Sequence, residues 1–365
     1  MFSRLIVDAH EDLAWNHLTF NRDYTRSALV TRMLEARTDT PAHNGQAMLG
    51  RTEWLLGHVG IIFATLFASP AHRRLGHWDV QCYATPAEAF TRYRQQLDYY
   101  LRLEDTSPTF QIIRTVKDLE EVLATWQPNI SLGHRRIGLV VLMEGADGIT
   151  EPEQAEYWME HGVRAIGPAW TRTRYAGGTG DPGPLTADGL RLLRRMGELG
   201  LMLDLSHLTD EGVYQALDQF EGVLFASHSN PRDRVINSAR PERYLADDQI
   251  RRIAERDGVI GLVPFNRMID GLWTAADGKS RITIAEHFTA MIDHICQVTG
   301  SAAHVGIGSD FEGGFGADST PAEIDTVADL DVVSHALTRR GYDSAAIDAI
   351  LCNNWLRILR RGLPG

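Results

Sequence analysis

Several features that define common protein classes are scarce in this sequence of 365 residues. There are only three cysteines, Cys82, Cys296 and Cys352, and none of them belongs to a Cys-x-x-Cys pair. An odd, widely spaced set argues against a disulfide framework or a thiolate zinc knuckle, so we expect structural roles for all three. Basic residues are also few, 36 against 48 acidic ones, and the net charge is -12. This balance argues against a phosphate-backbone partner, so no nucleic acid partner is expected.

Long apolar runs are missing from the start of the sequence. The first run, Leu5 to Val7, ends at an acid, Asp8. It is too short for a signal peptide or a membrane span, so we expect a cytoplasmic protein without a membrane partner. The glycines of residues 175–183 lack the Gly-x-Gly-x-x-Gly or Lys-Ser/Thr spacing of phosphate-binding loops. We expect a flexible active-site loop there instead.

What the sequence does contain is an alternation of apolar runs and amphipathic stretches. Residues 201–207 and 222–228 are two such runs, and 209–220 between them has helical spacing, which predicts a βαβ unit. Eight strand-then-helix units can be counted along the chain, near Ile6, Ile62, Val140, Ala165, Leu203, Leu224, Gly261 and Gly306. This pattern predicts an α/β fold, a (β/α)8 TIM barrel of the metal-dependent hydrolase type.

No composition break divides the chain, so we expect a single domain over residues 1–365. A polar, arginine-rich segment at about 17–54 has no clear period and predicts a long insertion after the first strand, of the kind that often forms lids. Residues of about 320–363 have helical spacing and are expected to wrap the outside of the barrel.

Residue types that commonly bind metals follow several of the predicted strands. Both strands of the βαβ unit end in Ser-His, and two further apolar runs end in an acid. Carboxyl ends of parallel strands share one face of a barrel, where catalytic residues lie. The residues concerned are His10, Asp12, Glu144, His207, His228 and Asp310. Any one histidine alone is more often a hydrogen-bonded residue that closes a strand, but the repetition favours a metal site with nitrogen and carboxylate donors suited to zinc, manganese or cobalt.

At these residues the sequence resembles the membrane dipeptidase (renal dipeptidase) family of binuclear zinc peptidases, which is related to the amidohydrolase barrels. The matching motifs are Asp8-Ala9-His10-Glu11-Asp12-Leu13, Met143-Glu144-Gly145, Asp204-Leu205-Ser206-His207, Phe225-Ala226-Ser227-His228-Ser229, Gly306-Ile307-Gly308-Ser309-Asp310-Phe311 and Asn353-Asn354-Trp355-Leu356-Arg357.

The resemblance implies a ligand set, a cofactor and an assembly. It implies that His10 and Asp12 bind one ion, that His207 and His228 bind the other, and that Glu144 bridges the two. The ions would be two divalent metals, zinc first, with manganese or cobalt as alternatives. It also implies that Arg243 holds the terminal carboxylate of a small-molecule substrate, that Asp310 shuttles a proton, and that the chain forms a homodimer.

Two positions depart from the family's pattern. Trp170 stands where the mammalian enzyme has a histidine that touches substrate, so we expect it to contact substrate in a narrower site. The alternative for Trp170 is packing under the loop of residues 175–183. Cys352 replaces a usual glycine, which indicates a change in packing.

Three functions remain open on the sequence. The first is a dipeptidase that hydrolyses the peptide bond by attack of a metal-bridging hydroxide. The second is a related amidohydrolase acting on N-acyl amino acids, cyclic amides or lactones. Barrels of that kind usually begin with His-x-His and often carry a bridging lysine, whereas this sequence has His10-x-Asp12 and Glu144. The third is a degenerate barrel kept as a scaffold, which the full set of predicted ligands disfavours.

Overall fold

Eight parallel strands form the centre of the structure, a computed structural model that describes residues 4–365. The strands are β1 (Ile6–Glu11), β2 (Val59–Phe67), β3 (Ile137–Glu144), β4 (Val163–Gly167), β5 (Met202–Asp204), β6 (Leu224–Phe225), β7 (Ile260–Leu262) and β8 (Val305–Ile307). Each strand pairs with the next in chain order and β8 returns to β1, while β6 and β7 are joined by a bridge between Ala226 and Ile260. The predicted (β/α)8 barrel is therefore confirmed. Residues 1–3, which belong to the N-terminal stretch discussed above, lie outside the described residues.

The two longest barrel strands, β2 and β3, show why the apolar runs form the barrel. They pair over seven positions, from Ile61 with Gly138 to Phe67 with Glu144. Both strands are buried along their whole length. A strand with the barrel interior on one side and helices on the other has no polar face, which explains its nearly continuous apolar sequence.

The first strand contains an irregularity that bears on the site. Its register with β2 shifts between Asp8 and Glu11. Glu11 accepts a hydrogen bond from the indole Nε1 of Trp54 at 3.0 Å. His10 and Asp12, on either side of Glu11, share the opposite face near the carboxyl end of β1, and a ligand atom of each lies within 4.8 Å of the other.

Helices pack around the barrel strands and against one end of the barrel. They are α1 (Leu13–Phe20), α2 (Ala28–Glu35), α3 (Thr40–Asn44), α4 (Arg51–Leu56), α5 (Pro86–Thr106), α6 (Val116–Ala124), α7 (Ala155–Glu160), α8 (Ala187–Leu199), α9 (Asp210–Gln219), α10 (Asp247–Glu255), α11 (Asn266–Ile269), α12 (Thr289–Thr299), α13 (Val332–Arg339), α14 (Ser344–Asp348) and α15 (Asn354–Gly362). Capping residues next to the first turn determine where several of these helices begin. Thr115, for example, caps α6 reciprocally with Asp118, which satisfies backbone N–H groups that the helix itself leaves free. None of the helices in residues 4–365 has both the length and the apolar character needed to cross a membrane.

The predicted insertion, residues 17–54, is largely helical rather than irregular. It contains the end of α1, all of α2 and α3, and most of α4. Glu312, in the loop after β8, anchors the segment: its carboxylate pairs with Arg22 at 2.7 Å, and it accepts hydrogen bonds from the Tyr24 hydroxyl at 2.6 Å and the Met48 N–H at 2.7 Å. The insertion is thereby tied to the catalytic side of the barrel.

The end of the chain differs from the expectation for residues 320–363. Helix α15 does not wrap the outside of the barrel. Its Trp355 is fully buried, lies 5.5 Å from the Phe63 ring and donates to the Ile307 carbonyl at 3.0 Å. The helix packs with residues at the strand starts, such as Val7. It therefore closes the barrel at the end opposite the histidines, an arrangement that helical spacing alone does not distinguish from an outer layer.

Candidate metal centre

The residues predicted as metal ligands all lie at the carboxyl ends of barrel strands. His10 is the next-to-last residue of β1 and Asp12 follows that strand, while Glu144 is the last residue of β3. His207, His228 and Asp310 each stand three residues beyond the end of β5, β6 and β8. Two sets of their donor atoms are close enough to share an ion. One set is His10, Glu144 and His228, and the other is His10, Asp12 and Asp310.

Glu144 lies at the middle of this cluster. Its Oε1 is 3.0 Å from His207 Nε2 and 3.3 Å from His228 Nε2. Its Oε2 is 3.6 Å from His10 Nε2. The two oxygens of one carboxylate therefore face two different groups of histidine nitrogen.

A serine orients two of the imidazoles through their Nδ1 atoms. Ser227 Oγ donates to Asp204 Oδ2 at 2.5 Å, and it lies 3.2 Å from His10 Nδ1 and 2.7 Å from His228 Nδ1. A hydroxyl has one proton and two lone pairs. Since Asp204 receives the proton, both Nδ1 atoms must donate to the serine. This assignment leaves His10 and His228 with Nε2 free to bind a cation when the imidazoles are neutral.

The third imidazole is held by a hairpin. His207 Nδ1 lies 2.8 Å from Thr179 Oγ1. Thr179 is in the turn between the antiparallel strands Ala176–Gly178 and Asp181–Leu185. The segment predicted as a flexible loop is thus an ordered hairpin that positions a candidate ligand. Sequence reasoning missed it because the strands are short and glycine-rich.

The unpaired atoms of the cluster fit metal ions. His10 Nε2 is buried and has no hydrogen-bond partner among the described residues. The Nε2 atoms of His207 and His228 face each other at 2.8 Å. Burial lowers the pKa of His207 to about 4 and holds the pKa of His228 well below its usual value, so both are neutral at pH 7. Neutral imidazoles beside carboxylates are the donors that zinc and related divalent ions prefer.

The charge of the site favours a cation at the same place. Burial lowers the pKa of His10, but Glu144, Asp12 and Asp310 outweigh that effect and raise it to about 10. Burial acts to raise the pKa of Glu144, and His10 together with the other histidines brings it well below its usual value. The carboxylates therefore stabilise positive charge at His10 Nε2, whether a proton or a metal ion supplies it.

Asp12 and Asp310 share a crowded corner of the site. Burial raises the pKa of Asp12 to about 6 and that of Asp310 well above its usual value. Thr65 donates a short hydrogen bond to Asp12. A Cβ at Gly313 would lie 2.2 Å from Asp310 Oδ1 and 2.7 Å from Asp12 Oδ2. Only glycine leaves both carboxylates where they are.

Two of these residues have strained backbones. His207 has φ of 67° and Asp310 has φ of 59°. Left-handed φ is uncommon for residues other than glycine and persists where surrounding contacts fix it.

A cavity of about 160 Å³ opens above the cluster. Trp170 and Arg243 both line it, as do Glu144 and Asp310. The Trp170 ring centroid is 6.3 Å from that of His207, and the backbone carbonyl of Trp170 also accepts from the hairpin residue Thr179. The side chain thus faces the site, while the main chain is fastened to the hairpin.

Arg243 is buried in the wall of this cavity. It donates to Ser229 Oγ at 3.1 Å and to the His228 carbonyl at 2.9 Å, and a guanidinium nitrogen lies 3.3 Å from His207 Nε2. Its hydrogen-bond acceptors among residues 4–365 are all uncharged groups.

Three residues that shape the site were missed by the sequence reasoning: Ser227, Thr179 and Gly313. A signal existed for Ser227, because a serine directly precedes both His207 and His228. For Thr179 and Gly313 the sequence carries no comparable signal, since their roles arise from contacts with residues distant in the chain.

The barrel and the histidine–carboxylate cluster at its carboxyl end together define the class of protein, a metal-dependent hydrolase. The family model described as membrane dipeptidase (Peptidase family M19) matches residues 1–362. The chain therefore belongs to the membrane dipeptidase family, and it is a metallo-dipeptidase by class. This confirms the resemblance seen in the motifs.

Relatives and solved structures agree with this family. The chain is 31% identical over 235 residues to a Klebsiella pneumoniae protein described as "Uncharacterized protein in pqqA 5'region", a match that covers 61% of this chain and 82% of that one. A dipeptidase AC, described as a metallopeptidase of family M19, has a TM-score of 0.78 at 23% identity and covers 100% of both chains. A metallopeptidase from Rhodobacter sphaeroides, solved with a phosphinate mimic of the dipeptide L-Ala-D-Ala, has a TM-score of 0.78 at 22% identity over 99% of both chains.

Proposed function

We propose that this protein hydrolyses the peptide bond of dipeptides with two divalent ions, for which zinc is the first candidate and manganese and cobalt are alternatives. His10 and Asp12 would hold one ion and His207 and His228 the other, with Glu144 between them. One observation carries the proposal. The carboxylate oxygens of Glu144 face separate histidine nitrogens whose other ring nitrogens already have partners, so divalent cations between them would satisfy both the carboxylate and the imidazoles.

Such ions would lower the pKa of bound water so that it could act as a hydroxide nucleophile, and they would polarise the scissile carbonyl. Asp310 is the group available to move the proton. Its Oδ1 lies 3.9 Å from His10 Nε2, beside the place where the ligand atoms meet. Burial raises its pKa, so the carboxyl group can take a proton from the attacking water and deliver it to the leaving amine.

Arg243 would bind the C-terminal carboxylate of the substrate. Its guanidinium is buried and its acceptors are neutral, which leaves a positive charge in the cavity wall without a hydrogen-bonded carboxylate partner among residues 4–365. A guanidinium matches a carboxylate with two parallel N–H groups. This arrangement favours substrates with a free C-terminus, as in the L-Ala-D-Ala mimic bound by the Rhodobacter sphaeroides relative.

Trp170 would set the size of the site. Its ring packs edge to face on Phe67 at 4.9 Å and closes the cavity wall beside His207. The bulky indole fills space where a histidine could donate to a developing oxyanion, so the reaction would depend more on the metals for that charge. We expect preference for compact residues next to the scissile bond.

The test is a matched panel assayed with zinc and with manganese: free-acid dipeptides of graded side-chain size, their C-terminal amides, and N-acyl amino acids. Free-acid dipeptides should be hydrolysed and the amides should be poor substrates. The variant Arg243→Lys should raise KM for free acids about tenfold, because a point charge cannot reproduce the fork of the guanidinium. The KM for the C-terminal amides should be the same in this variant as in the wild type.

Arg240→Lys, in the same segment but exposed, is the matched control and should keep the wild-type KM. Equal turnover of free acids and amides by the wild type would remove Arg243 from substrate binding. Hydrolysis of N-acyl amino acids without hydrolysis of dipeptides would establish the alternative amidohydrolase function. The homodimer and the cytoplasmic location stay predictions.

A further inference from the structure

A second acid lines the same cavity, away from the candidate ligands. Asp79 lies between β2 and α5 and is 1% exposed. Its Oδ2 accepts hydrogen bonds from Ser69 Oγ at 3.1 Å and from the Leu75 N–H at 3.4 Å. Its Oδ1 is buried and has no hydrogen-bond partner among residues 4–365. The carboxylate is thus held in place by one oxygen, and the other lacks a partner.

The nearest arginine does not supply that partner. Arg74 donates its Nε to the backbone carbonyl of Asp79 at 3.1 Å, and its Nη2 donates to the carbonyl of His77 at 2.9 Å. Both bonds fix the loop and leave the carboxylate free. A buried carboxylate oxygen without a donor destabilises the protein, so a donor that enters the cavity with a positive charge would bind there.

Asp79 and Arg243 line the same cavity, and the loops that carry them follow two strands on opposite sides of the barrel. Asp79 follows β2 and Arg243 follows β6, and in the closed ring of eight strands these two are four apart in either direction. A substrate whose C-terminal carboxylate lies at Arg243 and whose peptide bond lies over Glu144 therefore extends its N-terminal residue toward Asp79.

The height of Asp79 above the ligands indicates which group reaches it. Phe67 pairs with Glu144, and Ser69, which holds the Asp79 carboxylate, stands two residues further along the chain. At ~3.3 Å per extended residue, Ser69 is ~7 Å beyond the level of Glu144. An α-ammonium group lies next to the scissile carbonyl, whereas the charged end of a long side chain reaches further. The side chains of Trp15, Phe67 and Leu75 line the same cavity and suit an alkyl stem.

We propose that Asp79 is a specificity-determining residue that binds a cationic group of the substrate's N-terminal residue, and its position favours a side-chain ammonium or guanidinium. This inference rests on the proposed dipeptidase function. It predicts an enzyme with a preference for dipeptides that begin with lysine or arginine.

The experiment compares two substrate pairs in the metal-loaded wild type, Asp79→Asn and the control Asp318→Asn, an exposed acid in the loop after β8. Lysyl-alanine against norleucyl-alanine reports on a side-chain cation, and alanyl-alanine against its N-acetyl form reports on the α-ammonium. In the wild type, lysyl-alanine should have the higher kcat/KM by about tenfold, as a charge-assisted hydrogen bond provides. In Asp79→Asn the ratio of the two kcat/KM values should fall close to one, and in Asp318→Asn it should equal that of the wild type.

Each outcome decides the proposal. If Asp79→Asn lowers the ratio for the acetylated pair instead, Asp79 still binds a cation, and the cation is the α-ammonium. If both ratios in Asp79→Asn equal those of the wild type, the proposal is wrong while dipeptide hydrolysis stands. Should the variant not fold, as its thermal unfolding would show, a wild type that prefers neither lysyl-alanine over norleucyl-alanine nor alanyl-alanine over its N-acetyl form overturns the proposal alone. A wild type that hydrolyses no dipeptide overturns the proposed function together with this inference.

Discussion

Ser227 is the residue whose chemistry is most constrained by its contacts. Its hydroxyl gives its single proton to Asp204 and faces the Nδ1 atoms of His10 and His228. Partners of this kind orient metal-binding histidines, and their loss typically costs ~10- to 100-fold in metal affinity or activity. Ser227→Ala should therefore weaken metal binding by about that factor, measured by competition with a chelating dye.

A second serine–histidine pair provides the control for that variant. Ser131 Oγ lies 2.7 Å from His134 Nδ1 in an exposed segment before β3, at the end of that strand away from Glu144. Ser131→Ala should leave metal affinity unchanged. Wild-type affinity in Ser227→Ala would show that the serine does not orient the histidines.

Asp310 is expected to act on protons rather than hold an ion. Asp310→Asn keeps the shape of the side chain but removes its ability to accept a proton, so kcat should fall by about two orders of magnitude or more with metal content near normal. Steady-state kinetics and elemental analysis of the same preparation measure both quantities. A variant that loses an ion and keeps its turnover per remaining site would show instead that Asp310 is a ligand.

At the scale of elements, the loop after β8 depends on a position without a side chain, Gly313. A methyl group at Gly313 would collide with the carboxylates of Asp310 and Asp12. Gly313→Ala should therefore reduce the occupancy of the ion assigned to His10 and Asp12 and lower kcat, while the ion at His207 and His228 stays. Metal analysis of the dialysed protein measures this.

Gly133 provides a matched glycine on the surface. A Cβ there meets nothing within 4 Å. Gly133→Ala should keep both ions and full activity. Retention of both ions by Gly313→Ala would contradict the assignment of Asp12 to a metal.

The strands were predictable from the sequence, and so was the position of the insertion, but the helices within the insertion were not. Strands such as β2 are apolar throughout because both of their faces are buried, and that pattern is visible in any one segment. Helices α2, α3 and α4 have only five to eight residues each, too few for a clear period. Their positions depend on Glu312, more than 250 residues away in the chain, so no local pattern could reveal them.

At the scale of the whole molecule, the barrel explains why the candidate ligands could be named in advance. Strand ends of a closed parallel barrel meet at one face, so a polar residue after each apolar run identifies the site without any knowledge of its geometry. The residues that support the ligands could not be named in this way. Thr179 reaches His207 and Asp79 enters the cavity through the path of loops, which the strand order does not determine.

The central claim is a pair of ions bridged by Glu144, and counting the ions tests it most directly. Elemental analysis of the protein after saturation with zinc and dialysis should give two ions per chain. Glu144→Gln should lose occupancy at both positions, because the bridge loses its charge. A wild type that binds at most one ion per chain under saturating metal, with His207 and His228 dispensable for activity, would contradict the account.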